Sequence, residues 1–194
     1  DGSGMTVGIW DQGLPLFEHQ EFDKRIVPVD SSESSEIRHA TLVTGVLAAS
    51  GAKKKAIGVI PSANAIVHDW SQDRLEAAKM AANGLLISNH SYGIKPDKLP
   101  NWYFGNYLPM SEKWDEIMSL APYYLSVIAS GNSQNKNHNE APLFGSSEDG
   151  WDVLLGAALT KNGITVAAAH TEMNFNGILT NAQVAPYSSL GPTD

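Results

Sequence analysis

Apolar residues along the chain fall alternately into short runs and helix-spaced stripes. Residues 5–10 (Met-Thr-Val-Gly-Ile-Trp) form an apolar run that ends at Asp11 and a glycine turn, which predicts a buried strand with a polar residue at its carboxyl tip. Residues 25–29 predict a second strand. After a Ser/Glu loop at 31–36, residues 39–50 place Leu42, Val43, Val46 and Leu47 at helical spacing, with Gly51 suited to the C-terminal cap. His39 then stands at or near a helix N-terminus. Strands are predicted at 65–68, 85–89, 124–129 and 164–168, and helices at 72–83 and 112–120. Alternation of the two with crossover-length connections predicts an α/β fold on a parallel sheet, in one domain with no internal boundary. Ligands of such sheets bind beyond the carboxyl ends of the strands, and Asp11, Asn89 and Asn132 each stand just past an apolar strand run.

Composition narrows this picture. With 194 residues, 42% of them hydrophobic and 18% charged, the chain is long enough for a single well-buried core. A formal charge of −8 argues against a nucleic-acid partner, and the one basic run, Lys53-Lys54-Lys55, has no interleaved aromatics and reads as a solvated loop. The absence of cysteine excludes disulfides and thiolate metal sites but leaves the compartment open. No apolar stretch approaches the roughly 18 residues that span a bilayer, so no membrane partner is expected, and Asp1-Gly2-Ser3-Gly4 does not read as a signal peptide. Residues 93–111 form a long irregular segment holding Trp102, Tyr103, Phe104 and Tyr107. It reads equally as a surface loop packed by its aromatics or as a flap lining a substrate site.

Three polar residues suggest chemistry. Acyl transfer by a serine requires a base for the hydroxyl proton, a carboxylate that fixes the base's tautomer, and donors for the oxyanion. Asp11, His39 and Asn132 are the residue types for those roles, in Trp10-Asp11-Gln12-Gly13, His39-Ala40-Thr41-Leu42-Val43-Thr44-Gly45 and Ala129-Ser130-Gly131-Asn132. Each alone is an ordinary cap or turn residue; their joint order carries the weight.

Together these stretches resemble the subtilases, the subtilisin-like serine proteases. Residues 56–61 (Ala-Ile-Gly-Val-Ile-Pro) are similar to the family's Gly-Val-Ala-Pro turn, residues 87–93 (Ile-Ser-Asn-His-Ser-Tyr-Gly) to its substrate-binding strand, and residues 187–192 (Tyr-Ser-Ser-Leu-Gly-Pro) to its Phe-Ser-Ser-x-Gly-Pro stretch. The resemblance spans nearly the whole chain. It implies a three-layer sandwich around a mostly parallel sheet, with residues 1–194 forming the N-terminal part of the catalytic domain and its C-terminal part missing. It further implies that Asp11 orients His39, that His39 is general base and then acid, and that the Asn132 amide donates to the oxyanion. Ser91, Tyr92 and Gly93 would form one wall of the substrate pocket and Ala129, Ser130 and Gly131 the other. An extended polypeptide would pair there as an added strand, and the implied protein is a secreted or cell-surface bacterial serine endopeptidase.

The sequence departs from the family at three places. The family's nucleophile lies in a Gly-Thr-Ser stretch after the Ser-Ser-x-Gly-Pro segment, and neither Gly-Thr-Ser nor Gly-x-Ser-x-Gly occurs here. The serine is expected beyond Asp194 or on a companion chain, and this polypeptide alone is expected to be inactive. A non-catalytic member that binds peptides in the same groove is the alternative. Calcium, which the family often binds near the position of Glu21, is not expected, because the facing loop is Gly51-Ala52-Lys53-Lys54-Lys55 and offers ammonium groups where a hard cation wants oxygen. No other cofactor or metal is expected: His19, His68, His138 and His170 lack ligand partners at helical spacing, and His90 reads as a packed strand residue. Ala40 and Leu42 replace the family's more usual Gly and His without touching the base. An unrelated nucleotide-binding module is disfavoured by the lack of any glycine-rich phosphate loop.

Overall fold

A computed structural model describes residues 1–32, 37–97, 99–134 and 153–191; His138, Pro192, Asp194 and loop residues 33–36 lie outside them. The strands are β1 (Thr6–Asp11), β2 (Ile26–Pro28), β3 (Asn64–Asp69), β4 (Ile87–His90), β5 (Leu125–Ala129) and β6 (Ile164–Val166), in the sheet order β2-β3-β1-β4-β5-β6. Strand β1 runs parallel to β3 and to β4, and β2 runs parallel to β3. Helices α1 (Arg38–Ala48), α2 (Asp73–Ala82) and α3 (Pro109–Leu120) alternate with the strands, as expected of an α/β fold. No described helix is long and apolar enough to cross a membrane. The chain divides into two compact units, Asp1–Ser91 with Ile117–Val127 and Tyr92–Glu116 with Ile128–Asp194.

In the first unit, the two-residue period of β1 sorts its side chains between the sheet faces. Val7 and Ile9 join Phe22, Ile26, Ala65, Val67 and Ala48 of α1 in one core cluster, with Val43 and Leu47 packed against it. The fully buried stripe of α1 is Ala40, Thr44 and Ala48, so the helix seats through small side chains. Leu42 and Val46, two of the four apolar positions that suggested this helix, are exposed. Gly51 does not cap α1 either: Ala49 is its C-cap. The carbonyls at that end are met instead by the amides of Gly58 on Ala49, Val59 on Val46 and Ile60 on Leu47, at 2.9, 3.0 and 2.8 Å, and by the Arg25 guanidinium on Ala48 at 2.8 Å. These donors satisfy the carbonyls a helix end leaves orphaned. Gly58 must be glycine, since a Cβ there would lie 2.6 Å from the Leu47 carbonyl oxygen.

The opposite face of β1 is aromatic. Trp10 stacks on His68 at 4.5 Å and on His90 at 5.2 Å, and its indole donates to Glu76 of α2 at 3.0 Å. Helices α1 and α2 therefore cover opposite faces, giving three layers. Gly8 lies under the Trp10 ring, where a Cβ would come within 2.5 Å. His90 is buried with Nε2 2.7 Å from the Ser88 hydroxyl, which also lies 2.6 Å from the Tyr124 hydroxyl.

In the second unit, Ile128, Leu154, Ala158 and Leu159 form a core cluster. Asp115 of α3 accepts from the amides of Lys161 and Asn162 and from the Tyr107 hydroxyl at 2.7 Å, while Lys161 Nζ sits 4.2 Å from the Tyr107 ring centre. The aromatic loop is thus split in role: Tyr107 is tied down, Phe104 is buried and Trp102 is exposed. Strand β6 is shorter than predicted, and the chain then turns into a hairpin the sequence did not reveal, β7 (Ala169–Met173) with β8 (Leu179–Val184). Every residue of β7 is exposed, so the hairpin has no one-sided apolar pattern to read.

Burial lowers the His90 pKa to about 3, whereas an unfolded histidine titrates near 6.5. The unfolded chain therefore takes up a proton that the folded chain refuses, and stability present above pH 6.5 falls as the pH drops toward 3. A His90→Phe variant should lose less stability across that window than the wild type in parallel denaturant titrations. Equal losses would contradict the assignment.

Candidate active site

The carboxyl tip of β1 delivers Asp11 to the α1 face of the sheet, fully buried, and the first turn of α1 delivers His39, whose side chain is 50% exposed. His39 Nδ1 lies 2.7 Å from Asp11 Oδ1, which also accepts the Gln12 amide at 2.6 Å. A carboxylate on Nδ1 makes that nitrogen the protonated one and leaves Nε2 with a free lone pair. Burial pushes the Asp11 carboxyl above its ordinary pKa, while the hydrogen bond and charge of His39 and the Gln12 amide pull the other way.

Several neighbours hold this geometry. Thr41, the third residue of the His-Ala-Thr stretch, donates its hydroxyl to the Ile37 carbonyl and accepts the Leu16 amide at 2.9 Å, tying the segment after Asp11 to α1. Asp69 stands beside Asp11 in register at the tip of β3 and accepts the Gly13 amide at 3.1 Å, the Ser71 amide and the Ser32 hydroxyl. Its role was missed in the sequence, although an Asp directly after an apolar strand run is the same signal that singled out Asp11. Although desolvation by burial opposes it, the donors from Ser32, Ser71 and Gly13 keep its carboxyl below the usual range. Glu21 is also committed: its carboxylate accepts the amides of Gly51, Ala52 and Lys53 at 2.8, 2.9 and 2.8 Å, so the loop faces it with backbone N–H groups. The positive φ of Gly51, +83°, serves that turn. Ser91, also in this unit, accepts from the Asn89 amide group at 2.9 Å.

The second unit carries the remaining predicted residues. Tyr92 is half-buried and Gly93 exposed; Ala129 ends β5, and Ser130 donates its amide to the Val166 carbonyl at 2.9 Å. Asn132 is exposed, directly after Gly131, whose φ is +106°. Ser188 and Ser189 are buried and support this turn. The Ser189 amide donates to the Gly131 carbonyl at 2.9 Å and its hydroxyl accepts the Ser133 amide at 3.0 Å, while the Ser188 hydroxyl lies 3.2 Å from that of Ser130 and accepts the Ala168 amide. A Cβ on Gly131 would stand 2.9 Å from Ser189 Oγ. The serine pair is thus a clamp on the turn that presents Asn132, a role its sequence motif did not disclose.

Because burial outweighs its partners in setting the Asp11 pKa, the folded protein holds a proton there more tightly than the unfolded chain does. The stability this confers is full below the unfolded value and is lost as the pH rises through the folded one. An Asp11→Asn variant, which does not titrate, should gain stability relative to wild type as the pH rises above the ordinary aspartate value of about 3.9. A relative loss over that range, in urea titrations, would contradict the assignment.

The family model for the subtilase family matches residues 2–194. No curated protein matches the sequence. Among solved structures, the self-cleaved protease domain of PatA is similar with a TM-score of 0.61 at 19% identity, covering 98% of this chain and 63% of that one. The Aeromonas sobria serine protease in complex with its chaperone ORF2 is similar with a TM-score of 0.60 at 18% identity, and the same protease alone with 0.58 at 20%; each alignment covers 99% of this chain and 36% of that one. This chain therefore spans less than two thirds of the length of each. At these identities the likeness is one of fold.

Proposed function

Since the chain belongs to the subtilase family, we propose that it supplies the base and orienting carboxylate of a secreted serine endopeptidase whose attacking serine comes from sequence C-terminal to Asp194 or from a companion chain. The observation that carries this reading is the 2.7 Å contact between buried Asp11 and half-exposed His39. In this mechanism Asp11 holds the Nδ1–H tautomer, Nε2 takes the proton of the serine hydroxyl as it attacks the peptide carbonyl, and the imidazolium returns that proton to the leaving amine. The side-chain amide of Asn132 donates to the oxyanion. A polypeptide substrate would pair as an added strand between residues Ser91, Tyr92 and Gly93 on one side and Ala129, Ser130 and Gly131 on the other, with backbone hydrogen bonds giving affinity and side-chain pockets giving preference. No metal is assigned to the chemistry. Two proteins of similar fold, a self-cleaved protease domain and a protease bound to its chaperone, are compatible with a companion segment.

An activity-based phosphonate followed by intact-mass analysis tests the proposal. A longer polypeptide that contains this chain and the downstream sequence should take up one equivalent at a serine outside residues 1–194, and the 194-residue chain alone should take up none. His39→Ala in the longer protein should lower kcat on a peptide substrate by on the order of 10⁶-fold, and Asp11→Ala by on the order of 10⁴-fold. Stoichiometric labelling of the isolated chain would refute the missing-nucleophile part. Failure of the longer protein to label or to cleave would refute the protease reading and favour a peptide-binding member of the family.

A further inference from the structure

On the sheet face opposite Asp11, three potential ligands converge that the protease reading does not use. Asp30 follows β2, His68 is on β3 and Glu76 is in α2, and one ligand atom from each lies within 4.8 Å of the other two. His68 is only 3% exposed, and among the described residues neither of its ring nitrogens has a hydrogen-bond partner. Unpaired imidazole nitrogens in a protein interior call for an explanation, because burying a polar group without a partner is costly. Nδ1 is aimed at the carboxylates, 3.5 Å from Glu76 Oε2 and 3.8 Å from Asp30 Oδ2. Those separations are long for hydrogen bonds, yet close to the roughly 3.3 Å that separates two ligands bonded at about 2.0 Å to one tetrahedral metal ion.

We propose that Asp30, His68 and Glu76 form a binding site for one divalent transition-metal ion of the zinc class, with water completing the coordination. Two carboxylates and one neutral imidazole bring a charge of −2, which a divalent cation balances, and the imidazole favours zinc-like ions over calcium or magnesium. Outer contacts of the kind that orient metal ligands are also in place. Trp10 stacks on the His68 ring and donates its indole N–H to Glu76 Oε2 at 3.0 Å, and the Asp69 amide points at both Asp30 oxygens at 3.2 and 3.3 Å. Burial holds His68 below its ordinary pKa, although the Asp30 carboxylate acts the other way. Sequence spacing could not find this site, because its ligands come from three separate elements and meet only through the β2–β3 register and the seating of α2.

Cobalt(II) titration of the chelator-stripped 194-residue chain tests the proposal without any measurement of proteolysis. The wild type should bind one equivalent, develop visible ligand-field bands of a four- or five-coordinate site, and release the cobalt to zinc. Asp30→Asn, which keeps an oxygen for the Asp69 amide, should weaken binding by about tenfold or more with the far-UV circular dichroism unchanged, and His68→Gln should abolish the bands. Absence of saturable one-to-one binding in the wild type would overturn the site. So would equal affinity in wild type and a folded Asp30→Asn variant, which would place the metal on other histidines.

Discussion

A carboxylate buried at the end of a strand is the constraint around which the first unit is arranged. Asp11 is fully enclosed, and among the described residues the desolvation it suffers is opposed by two donors, the Gln12 amide and His39 Nδ1. The second donor must arrive on a separate element, so α1 has to start at the right place and be held along its length. Thr41 fixes its first turn to the segment after Asp11, the alanine-and-threonine stripe lets it lie close on β1 and β3, and Arg25 with the amides of Gly58, Val59 and Ile60 closes its far end. Asp69 performs a parallel task by pinning the Gly13 turn from the neighbouring strand.

The second unit shows a different solution to presenting a polar group. Asn132 follows a glycine with a left-handed backbone, and such a turn is stable only where its amides and carbonyls are met. Ser188 and Ser189 meet them from inside, through hydrogen bonds to Ala168, Gly131 and Ser133. The same small hydroxyls that recur in the family's motif are therefore a structural clamp in this chain, with both side chains buried and engaged.

Much of this was legible in the sequence for a definite reason. Strands β1 and β3 are largely apolar runs buried in the sheet, and Asp11, His39 and Asn132 stand at breaks in apolar periodicity where a polar residue is conspicuous. What escaped is what periodicity does not encode. Leu42 and Val46 lie on the exposed side of α1 because small residues, rather than large ones, make its contact with the sheet. Gly51 looked like a helix cap but serves the backbone cradle of Glu21. The β7–β8 hairpin carries no buried face, and the Asp30, His68 and Glu76 cluster is assembled from residues 38 and 8 positions apart.

The Asp11–His39 contact is most directly tested by the tautomer of His39, read from the imidazole ¹⁵N shifts of the folded chain at a pH where the ring is neutral. The account predicts a protonated Nδ1, with its proton shifted downfield by the Asp11 carboxylate, and a bare Nε2. A protonated Nε2 with a bare Nδ1 would contradict it.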